Sequence, residues 1–164
     1  MIIIGTGEDG VDRVLLFADT DPGIPDRGWW VTPGGGIDPG ETAVQAAIRE
    51  TAEETGLQIT ADDLIGPVAT RVAVHGYSDQ ILEQEERFFV VRVPRFEIDI
   101  SGHTEDEKLT LTGHRWWTLD ELASTDEWLW PRQLLDLIDA AADPGRWPID
   151  LGRGTEESTV PVDN

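Results

Sequence analysis

Two kinds of hydrophobic spacing divide this chain into strands and helices. Apolar residues crowd or alternate in short runs, which is the spacing of β-strands, at residues 1–4, 13–17, 29–32, 57–60, 68–77, 85–93, 96–100 and 115–118. Apolar residues recur at helical spacing after Glu41, after Thr118 and after Pro131. The run at 85–93 is apolar on both of its alternating faces, which indicates a sheet that is covered on both sides.

Polar segments rich in turn formers separate these elements. Loops are predicted at residues 19–28 and 78–84 and in the acidic segment 101–109. Thr118 followed three residues later by Glu121 has the spacing of a capping box and predicts the start of a helix.

The segment 144–164 reads differently from the rest of the chain, because it has acids and turn formers but little periodicity. We therefore divide the chain into a domain at 1–143 and a C-terminal tail at 144–164. The tail residues expected to pack, on this chain or on a neighbouring one, are Trp147, Pro148, Ile149 and Leu151.

The most informative stretch is residues 33–57, PGGGIDPGETAVQAAIRETAEETGL. A glycine turn leads into an Ala-rich helix, and Gly56 is predicted to end this helix, because glycine is the usual C-terminal cap. At 100° per residue, Glu50, Glu53 and Glu54 share one face, where their mutual repulsion opposes folding. Oxygen ligands at this spacing suit Mg²⁺ or Mn²⁺. A solvated acidic helix would give the same charge pattern, and the carboxylates alone do not separate the two interpretations.

The remaining helix positions divide between two sides. The side predicted to face the core carries Val44, Ile48, Thr51, Ala52 and Thr55. The carboxylate side carries Ala43, Ala46 and Ala47, whose small side chains leave room for a metal ion and a substrate.

This stretch resembles the Nudix box. The matching positions are Gly35, Glu41, Arg49, Glu50, Glu53, Glu54, Gly56 and Leu57. One position departs from the pattern, since Thr51 stands where the family prefers an aliphatic residue. The match spans 23 residues with many fixed positions, which makes it a specific signal.

The resemblance implies an α/β fold, an α/β/α sandwich with a mixed central sheet and the box as a loop–helix–loop. It implies a pyrophosphohydrolase that cleaves a nucleoside diphosphate linked to another group, by attack of a metal-activated water on phosphorus. By the same resemblance, the metal ligands are Glu50, Glu53, Glu54 and the backbone carbonyl of Gly34. Arg49 is expected to orient a carboxylate of the box, and Glu41 to support it.

The resemblance leaves the general base open between a glutamate of the box and an acid from a distant loop. Among the distant acids, Glu107 is favoured over Glu85, Glu86, Glu105 and Asp106, although each of these could be a plain surface acid.

Substrate contacts are predicted at Arg27, Arg71 and Arg87, because arginine suits phosphate, and at Trp30, because an indole can stack on a base. Arg92 is a weaker candidate of the same kind. The alternatives are an ion pair for each arginine and a core position for the tryptophan.

Composition and net charge limit the classes of partner and the cell compartment that we expect. The formal net charge of −21 argues against a general nucleic-acid or anionic-membrane surface, so a small nucleotide-type diphosphate is the expected partner. The chain has no cysteine, and its start lacks the features of a signal peptide, so we expect a cytoplasmic protein. A homodimer stays open. Two other functions stay open as well: a housecleaning nucleoside triphosphate pyrophosphatase with a base-reading Asn or Asp, and a non-catalytic nucleotide-sensing module.

Overall fold

The computed structural model describes residues 1–163. The strands are β1 (Ile2–Thr6), β2 (Asp12–Asp21), β3 (Ile24–Val31), β4 (Ile65–Gly76), β5 (Ile81–Pro94), β6 (Gly113–Thr118), β7 (Leu129–Trp130) and β8 (Ile149–Gly154). The helices are α1 (Ala43–Thr55), α2 (Glu105–Thr110), α3 (Leu119–Ser124) and α4 (Leu134–Ala140). Single 3-10 turns lie at Ala61–Asp63 and Pro144–Arg146.

The strands form one mixed sheet in the order β7-β3-β2-β1-β5-β4-β8, and β6 joins it by pairing with β2. The pairs β1–β5, β3–β7 and β4–β8 are parallel. The pairs β1–β2, β2–β3, β2–β6 and β4–β5 are antiparallel. Along β2, residues 12–14 pair with β1 and residues 17–21 with β3, while β6 pairs with residues 13–18 across both halves.

Apolar residues cover both faces of the sheet, as the pattern at 85–93 predicts. One core cluster contains Phe88 and Val90 and packs against α3 and α4 through Leu122, Leu134 and Leu137. The other cluster contains Phe89 and Val91 and packs against α1 through Ala43, Val44 and Ala47. The expected sandwich with a mixed sheet between helices is therefore confirmed.

Two predicted strands do not form. Residues 57–60 and 96–100 are extended segments without strand pairing. Their apolar members Leu57, Ile59, Phe96 and Ile98 pack against the second core cluster. The alternating pattern therefore predicted correctly which side chains pack against the core. A strand also requires a neighbouring strand whose backbone groups are free to pair, and these two segments do not pair with one within residues 1–163.

Two predicted loops contain regular structure instead. The segment 19–28 is mostly strand, because β2 and β3 extend toward each other until only a short turn remains between them. Within 101–109, Thr104 starts α2 with a capping box to Glu107. The Thr-x-x-Glu spacing was visible in the sequence and could have identified this helix.

The C-terminal segment packs on its own chain. Strand β8 pairs in parallel with β4, and Trp147, Ile149 and Leu151 pack against the first core cluster. The indole of Trp147 donates a hydrogen bond to the backbone oxygen of Ala140, at 2.7 Å. Among residues 1–163, we find no helix with both the length and the apolar character needed to span a membrane.

Candidate active site

The glycine turn and helix α1 form the frame of the candidate site. Thr42 and Gln45 build a capping box at the helix start, and Gly56, with φ of 76°, ends the helix in the left-handed conformation that the sequence predicted for it. At Gly35, an added Cβ would lie 2.5 Å from Glu50 Oε1, so a side chain there would displace the Glu50 carboxylate from its position beside the turn.

Three carboxylates converge beside this turn. Ligand oxygens of Glu50, Glu54 and Glu107 all lie within 4.8 Å of one another. Glu50 and Glu54 are buried, at 8% and 5% exposure, and Glu107 is half-buried. The backbone N–H of Gly34 donates to Glu54 Oε2 at 2.7 Å and fixes that side chain against the turn. We call Glu50, Glu54 and Glu107 the acidic cluster.

Helix α2 brings Glu107 to this position from about fifty residues away in the chain. The loop that precedes α2 is tied to the end of α1, where Asp99 N–H donates to Thr55 O at 3.0 Å and the His103 ring contacts Glu54 O at 2.9 Å. The capping box then fixes Glu107, whose Oε2 accepts from Thr104 N–H at 2.6 Å. Its other carboxylate oxygen takes no hydrogen bond among the described residues.

Arg49 connects the outer acids of the box. Its guanidinium donates to both oxygens of Glu41, each at 2.9 Å, to Glu50 Oε1 at 2.9 Å and to Glu53 Oε2 at 3.1 Å. It also donates to the backbone oxygen of Gly36 at 2.9 Å, which joins the helix to the glycine turn. These hydrogen bonds lower the pKa of Glu41 to about 2.

Within the described part of the chain, the carboxylates of the acidic cluster outnumber the positive charges that contact them. Burial raises the pKa of Glu54 to about 8, and the neighbouring charges of Glu50 and Glu107 act in the same direction. Burial also raises the pKa of Glu50, against the opposing effect of Arg49. Close carboxylates that resist ionisation in this way are suited to a divalent cation, which would relieve their repulsion and hold them ionised. The residues therefore fit a hard metal ion.

A cavity of about 580 Å³ opens from the acidic cluster. Ala43, Ala46 and Ala47 line it next to Glu50 and Glu54, which confirms that the small residues of α1 border the space beside the carboxylates. The volume falls in the range of ligand-binding pockets.

The burial of α1 differs from the prediction in one respect. Its buried residues are Ala46, Glu50, Thr51, Glu54 and Thr55, whereas Val44, Ile48 and Ala52 are only partly buried. Placing all burial on the side opposite the carboxylates was therefore wrong. The cavity lies between the helix and the sheet, so the carboxylates point into the protein.

A second part of the cavity wall is a network of paired charges. Arg71 Nε donates to Glu86 Oε2 at 2.6 Å, and both Nη atoms donate to the carboxylate of Glu157 at 2.8 and 2.6 Å. His75 contacts Glu86 Oε1 at 3.4 Å and the backbone oxygen of Glu157 at 2.7 Å. Arg71, His75, Glu86 and Glu157 all line the cavity, and we call them the paired end.

Aromatic rings line the cavity as well. Trp29 and Trp130 stack with ring centroids 4.2 Å apart, and His75 stacks on Trp130 at 5.5 Å and on Tyr77 at 5.9 Å. The indole N–H groups of Trp29 and Trp130 are buried without a hydrogen-bond partner among the described residues. Asp19 lines the same region, and burial raises its pKa.

Comparison with known proteins identifies the family of this chain. The family model for the NUDIX domain matches residues 1–138. The chain belongs to the NUDIX family. An RNA pyrophosphohydrolase of Erythrobacter litoralis is 33% identical over 118 residues, covering 66% of this chain and 70% of the relative. YvcI of Bacillus subtilis, an uncharacterized Nudix hydrolase, is 46% identical over 55 residues, which cover 34% of this chain and only 32% of YvcI.

A solved structure gives the same answer for the fold. A Caenorhabditis elegans Ap4A hydrolase binary complex aligns with a TM-score of 0.55 at 20% identity, over 86% of this chain and 92% of that one. Membership of the Nudix hydrolases and the Nudix fold, both predicted from the box, are thereby confirmed.

The Nudix acids predicted as ligands do not all lie in one place. Glu50 and Glu54 belong to the acidic cluster, while Glu53 lies at its solvent side with 49% of its side chain exposed. Gly34 borders the cavity, and its N–H is engaged by Glu54. Glu107, selected from the sequence as the base, lies within the acidic cluster.

The predicted substrate residues are spread more widely. Arg71 and Arg87 line the cavity, Arg71 fully paired and Arg87 with 42% of its side chain exposed. Arg27 and Trp30 do not line it. The Arg27 guanidinium lies 5.5 Å from the Trp128 ring, and Trp30 packs edge-on against Trp117 with its indole N–H bonded to Glu127.

Sequence reasoning missed several residues of the cavity. Asp19 lay in a predicted loop, Trp130 had no strand signal, and Glu157 lay in the aperiodic tail. Trp29 stands beside Trp30 in the predicted strand 29–32, where only Trp30 is predicted as a substrate contact. Because adjacent strand residues point to opposite faces, one of the two had to face the cavity, but only the fold decides which.

Proposed function

We propose that this Nudix domain is a Mg²⁺- or Mn²⁺-dependent pyrophosphohydrolase whose substrate is a nucleoside diphosphate linked to another group. The observation that carries the proposal is the convergence of Glu50, Glu54 and Glu107 within 4.8 Å at one end of a nucleotide-sized cavity. Glu50 and Glu54 would hold the cation, with Glu53 and the Gly34 carbonyl as further ligands that the box resemblance suggests. When bound, the cation would neutralise the diphosphate and lower the pKa of water.

Two residues would assist this chemistry from within the chain. Arg49 would hold Glu50 and Glu53 in orientation through its hydrogen bonds to both. Glu107 would accept the proton of the attacking water on the carboxylate oxygen that the Thr104 N–H does not occupy. Its closeness to Glu50 and Glu54 supports this role.

The rest of the cavity suits a nucleoside. Trp29, Tyr77 and Trp130 line the cavity, where their rings contact one another and Tyr77 and Trp130 stack with His75 of the paired end. Stacking of a base on such a ring contributes about 1–3 kcal/mol. Arg87, the cavity arginine with an exposed side chain, is the candidate for contact with a phosphate.

A second candidate is a nucleoside triphosphate pyrophosphatase. It is favoured by Asp19, a carboxyl group that lines the cavity, pairs with Trp29 across the sheet and can accept a hydrogen bond from a base edge. The relatives named RNA pyrophosphohydrolase suggest a 5′-triphosphorylated RNA as a further substrate, although the net charge of −21 opposes binding of a long polyanion.

A single screen separates these candidates. Phosphate or pyrophosphate release is measured with Mg²⁺ and with Mn²⁺ on ADP-ribose, sugar nucleotides, dinucleoside polyphosphates, nucleoside triphosphates and a 5′-triphosphorylated RNA. We expect metal-dependent turnover of a linked diphosphate. An E50Q/E54Q variant prepared in parallel controls for contaminating phosphatases.

The outcomes are distinct. Turnover restricted to nucleoside triphosphates would select the second candidate. Binding of nucleotides without turnover of any substrate would reject both and leave a sensing module.

A further inference from the structure

The segment that follows the matched NUDIX domain contributes to the wall of the cavity. The family match ends at residue 138, yet Glu157 lines the cavity and is only 5% exposed. A carboxylate this buried, on a polar segment, requires specific partners, because an unpaired buried charge is strongly destabilising.

Glu157 has such partners on both carboxylate oxygens and on its backbone oxygen. Its carboxylate accepts hydrogen bonds from both Nη groups of Arg71 and from the backbone N–H of Arg132, the latter at 2.7 Å. Its backbone oxygen contacts the His75 ring at 2.7 Å. The paired end of the cavity is therefore assembled around this one residue.

The neighbouring residues fix the segment in place. Ser158 Oγ accepts from the Gly76 N–H at 2.9 Å, and Thr159 N–H donates to Gly76 O at 2.8 Å. Thr159 Oγ1 also donates to the buried carboxylate of Asp21 at 2.5 Å. Three successive residues are thus bonded to β2 and β4, so Glu157 is held as part of the wall.

The pairing in this wall disfavours phosphate. Arg71 faces two carboxylates, those of Glu86 and Glu157, which occupy its guanidinium and outnumber it, and His75 beside Glu86 adds a positive charge only when it is protonated. Without Glu157, Arg71 and Glu86 would form a neutral pair with guanidinium N–H groups directed into the cavity. Glu157 therefore turns a possible phosphate-binding arginine into an occupied one.

We propose that Glu157 is a specificity-determining residue, which makes the paired end select substrates whose group distant from the diphosphate carries no phosphate. The inference rests on the proposed function, since it places the diphosphate at the acidic cluster and the remaining group of the substrate at the paired end. The C-terminal segment would then discriminate between nucleotides that differ only in this distant phosphate.

The test uses substrate pairs that differ by one distant phosphate, NADH with NADPH and dephospho-coenzyme A with coenzyme A. For each pair, the preference is the ratio of kcat/KM, and separately of Kd by calorimetry in Ca²⁺, between the member without and the member with that phosphate. Variants of the full chain form a charge series at the wall. E157Q removes one negative charge, and R71M removes one positive charge. R71M/E157M removes one charge of each sign, so it keeps the net charge of the wild type without the ion pair.

The preference should follow this series. The wild type should prefer the member without the distant phosphate. Relative to it, the ratio should fall about tenfold in E157Q and rise about tenfold in R71M, the size expected for gaining or losing one charged hydrogen-bond partner. R71M/E157M should stay within about threefold of the wild type, as should E156Q, which changes the exposed glutamate next in the chain.

The opposite results are equally clear. The inference is overturned if E157Q and R71M leave both ratios unchanged, or if they shift the ratios in the same direction. If R71M is unfolded by circular dichroism, E157Q and R71M/E157M decide alone. Failure of the proposed function is a separate outcome: the wild type would then not hydrolyse these substrates, but the Kd ratios could still be measured. A wild type that binds neither member of a pair overturns the inference.

Discussion

The two ends of the cavity both contain buried carboxylates, but they differ in how the negative charge is compensated. At the paired end, Arg71 and His75 contact Glu86 and Glu157. Burial opposes ionisation of Glu86, yet the His75 hydrogen bond and the Arg71 charge outweigh it and bring its pKa down to about 2.

At the acidic cluster, the balance is reversed, because burial raises the pKa of Glu54 to about 8. The protein compensates Glu86 with its own cationic side chains, whereas at the acidic cluster, as far as the structure describes the chain, only Glu50 has an arginine partner; under the proposed function a divalent cation would complete the compensation there. Burial of an acid therefore does not by itself indicate a metal site; what matters is whether the chain compensates it.

The largest expected effect is an opposite dependence of stability on pH at the two ends. Without metal, folded Glu54 holds its proton up to about pH 8, whereas its ordinary pKa is 4.5, so the folded state binds more protons between these values. Its contribution to stability is present below pH 4.5 and falls by as much as about 5 kcal/mol as the pH rises to 8. Urea melts in EDTA, with the E54Q variant subtracted, measure this slope.

Glu86 should behave in the opposite way. Its pKa is about 2 in the folded protein, so its contribution is present above pH 4.5 and is lost as the pH falls from 4.5 toward 2. The E86Q variant, subtracted from the wild type, isolates it. Slopes of the same sign for Glu54 and Glu86 would contradict the contrast between the two ends.

The second effect concerns the cation of the paired end. The R71M substitution should reduce the free energy of unfolding by about 3–5 kcal/mol, because it removes the guanidinium that pairs with both Glu86 and the buried Glu157. R92M is the matched control, since Arg92 is half exposed and its pair with Asp12 contributes at most about 1 kcal/mol. Urea denaturation measures both. An R71M protein as stable as R92M would mean that the paired end is not compensated by Arg71.

The third effect concerns a carboxylate of the acidic cluster. The E54Q substitution should lower Mn²⁺ affinity and metal-dependent turnover by more than about 100-fold, beyond the loss usual for residues that only support a ligand. Unlike R71M, it should not lower stability in EDTA at pH 7, because Glu54 is already largely neutral there. Electron paramagnetic resonance of Mn²⁺ gives the affinity, and E105Q, which alters an exposed acid of α2, is the control.

The same assay on E53Q decides the status of the remaining box acid. A loss similar to that of E54Q keeps Glu53 among the ligands, whereas Mn²⁺ binding within about tenfold of the wild type removes it. Parental affinity in E54Q itself would exclude the acidic cluster as the metal site.

The smallest effect expected is that of the residue joining the outer acids. R49K keeps the charge but cannot form the forked hydrogen bonds to Glu41, Glu50 and Glu53. It should weaken Mn²⁺ binding by about 10–100-fold while the melting temperature changes little. The control is R13K, whose arginine bonds Asp9 at the surface. Unchanged Mn²⁺ affinity in R49K would make its contacts merely structural.

Several features could be predicted from the sequence because they depend on nearby residues. The helix with its cap at Gly56, the small alanines beside the carboxylates and the helix start at Thr118 all follow from contacts within about four positions. The segment 57–60 shows the limit of such reasoning, because its alternation is real but no strand edge is available to it.

The sequence by itself determined the family, the order of most elements and the acids of the Nudix box, since these are written in short-range spacing. The tertiary structure alone decided which buried charges are compensated. Glu157 and Arg71 lie 86 positions apart, and only the pairing of β8 with β4 and the docking of the segment behind it bring them together. Electrostatic energy depends on distance and burial in space, and neither quantity is encoded in local spacing.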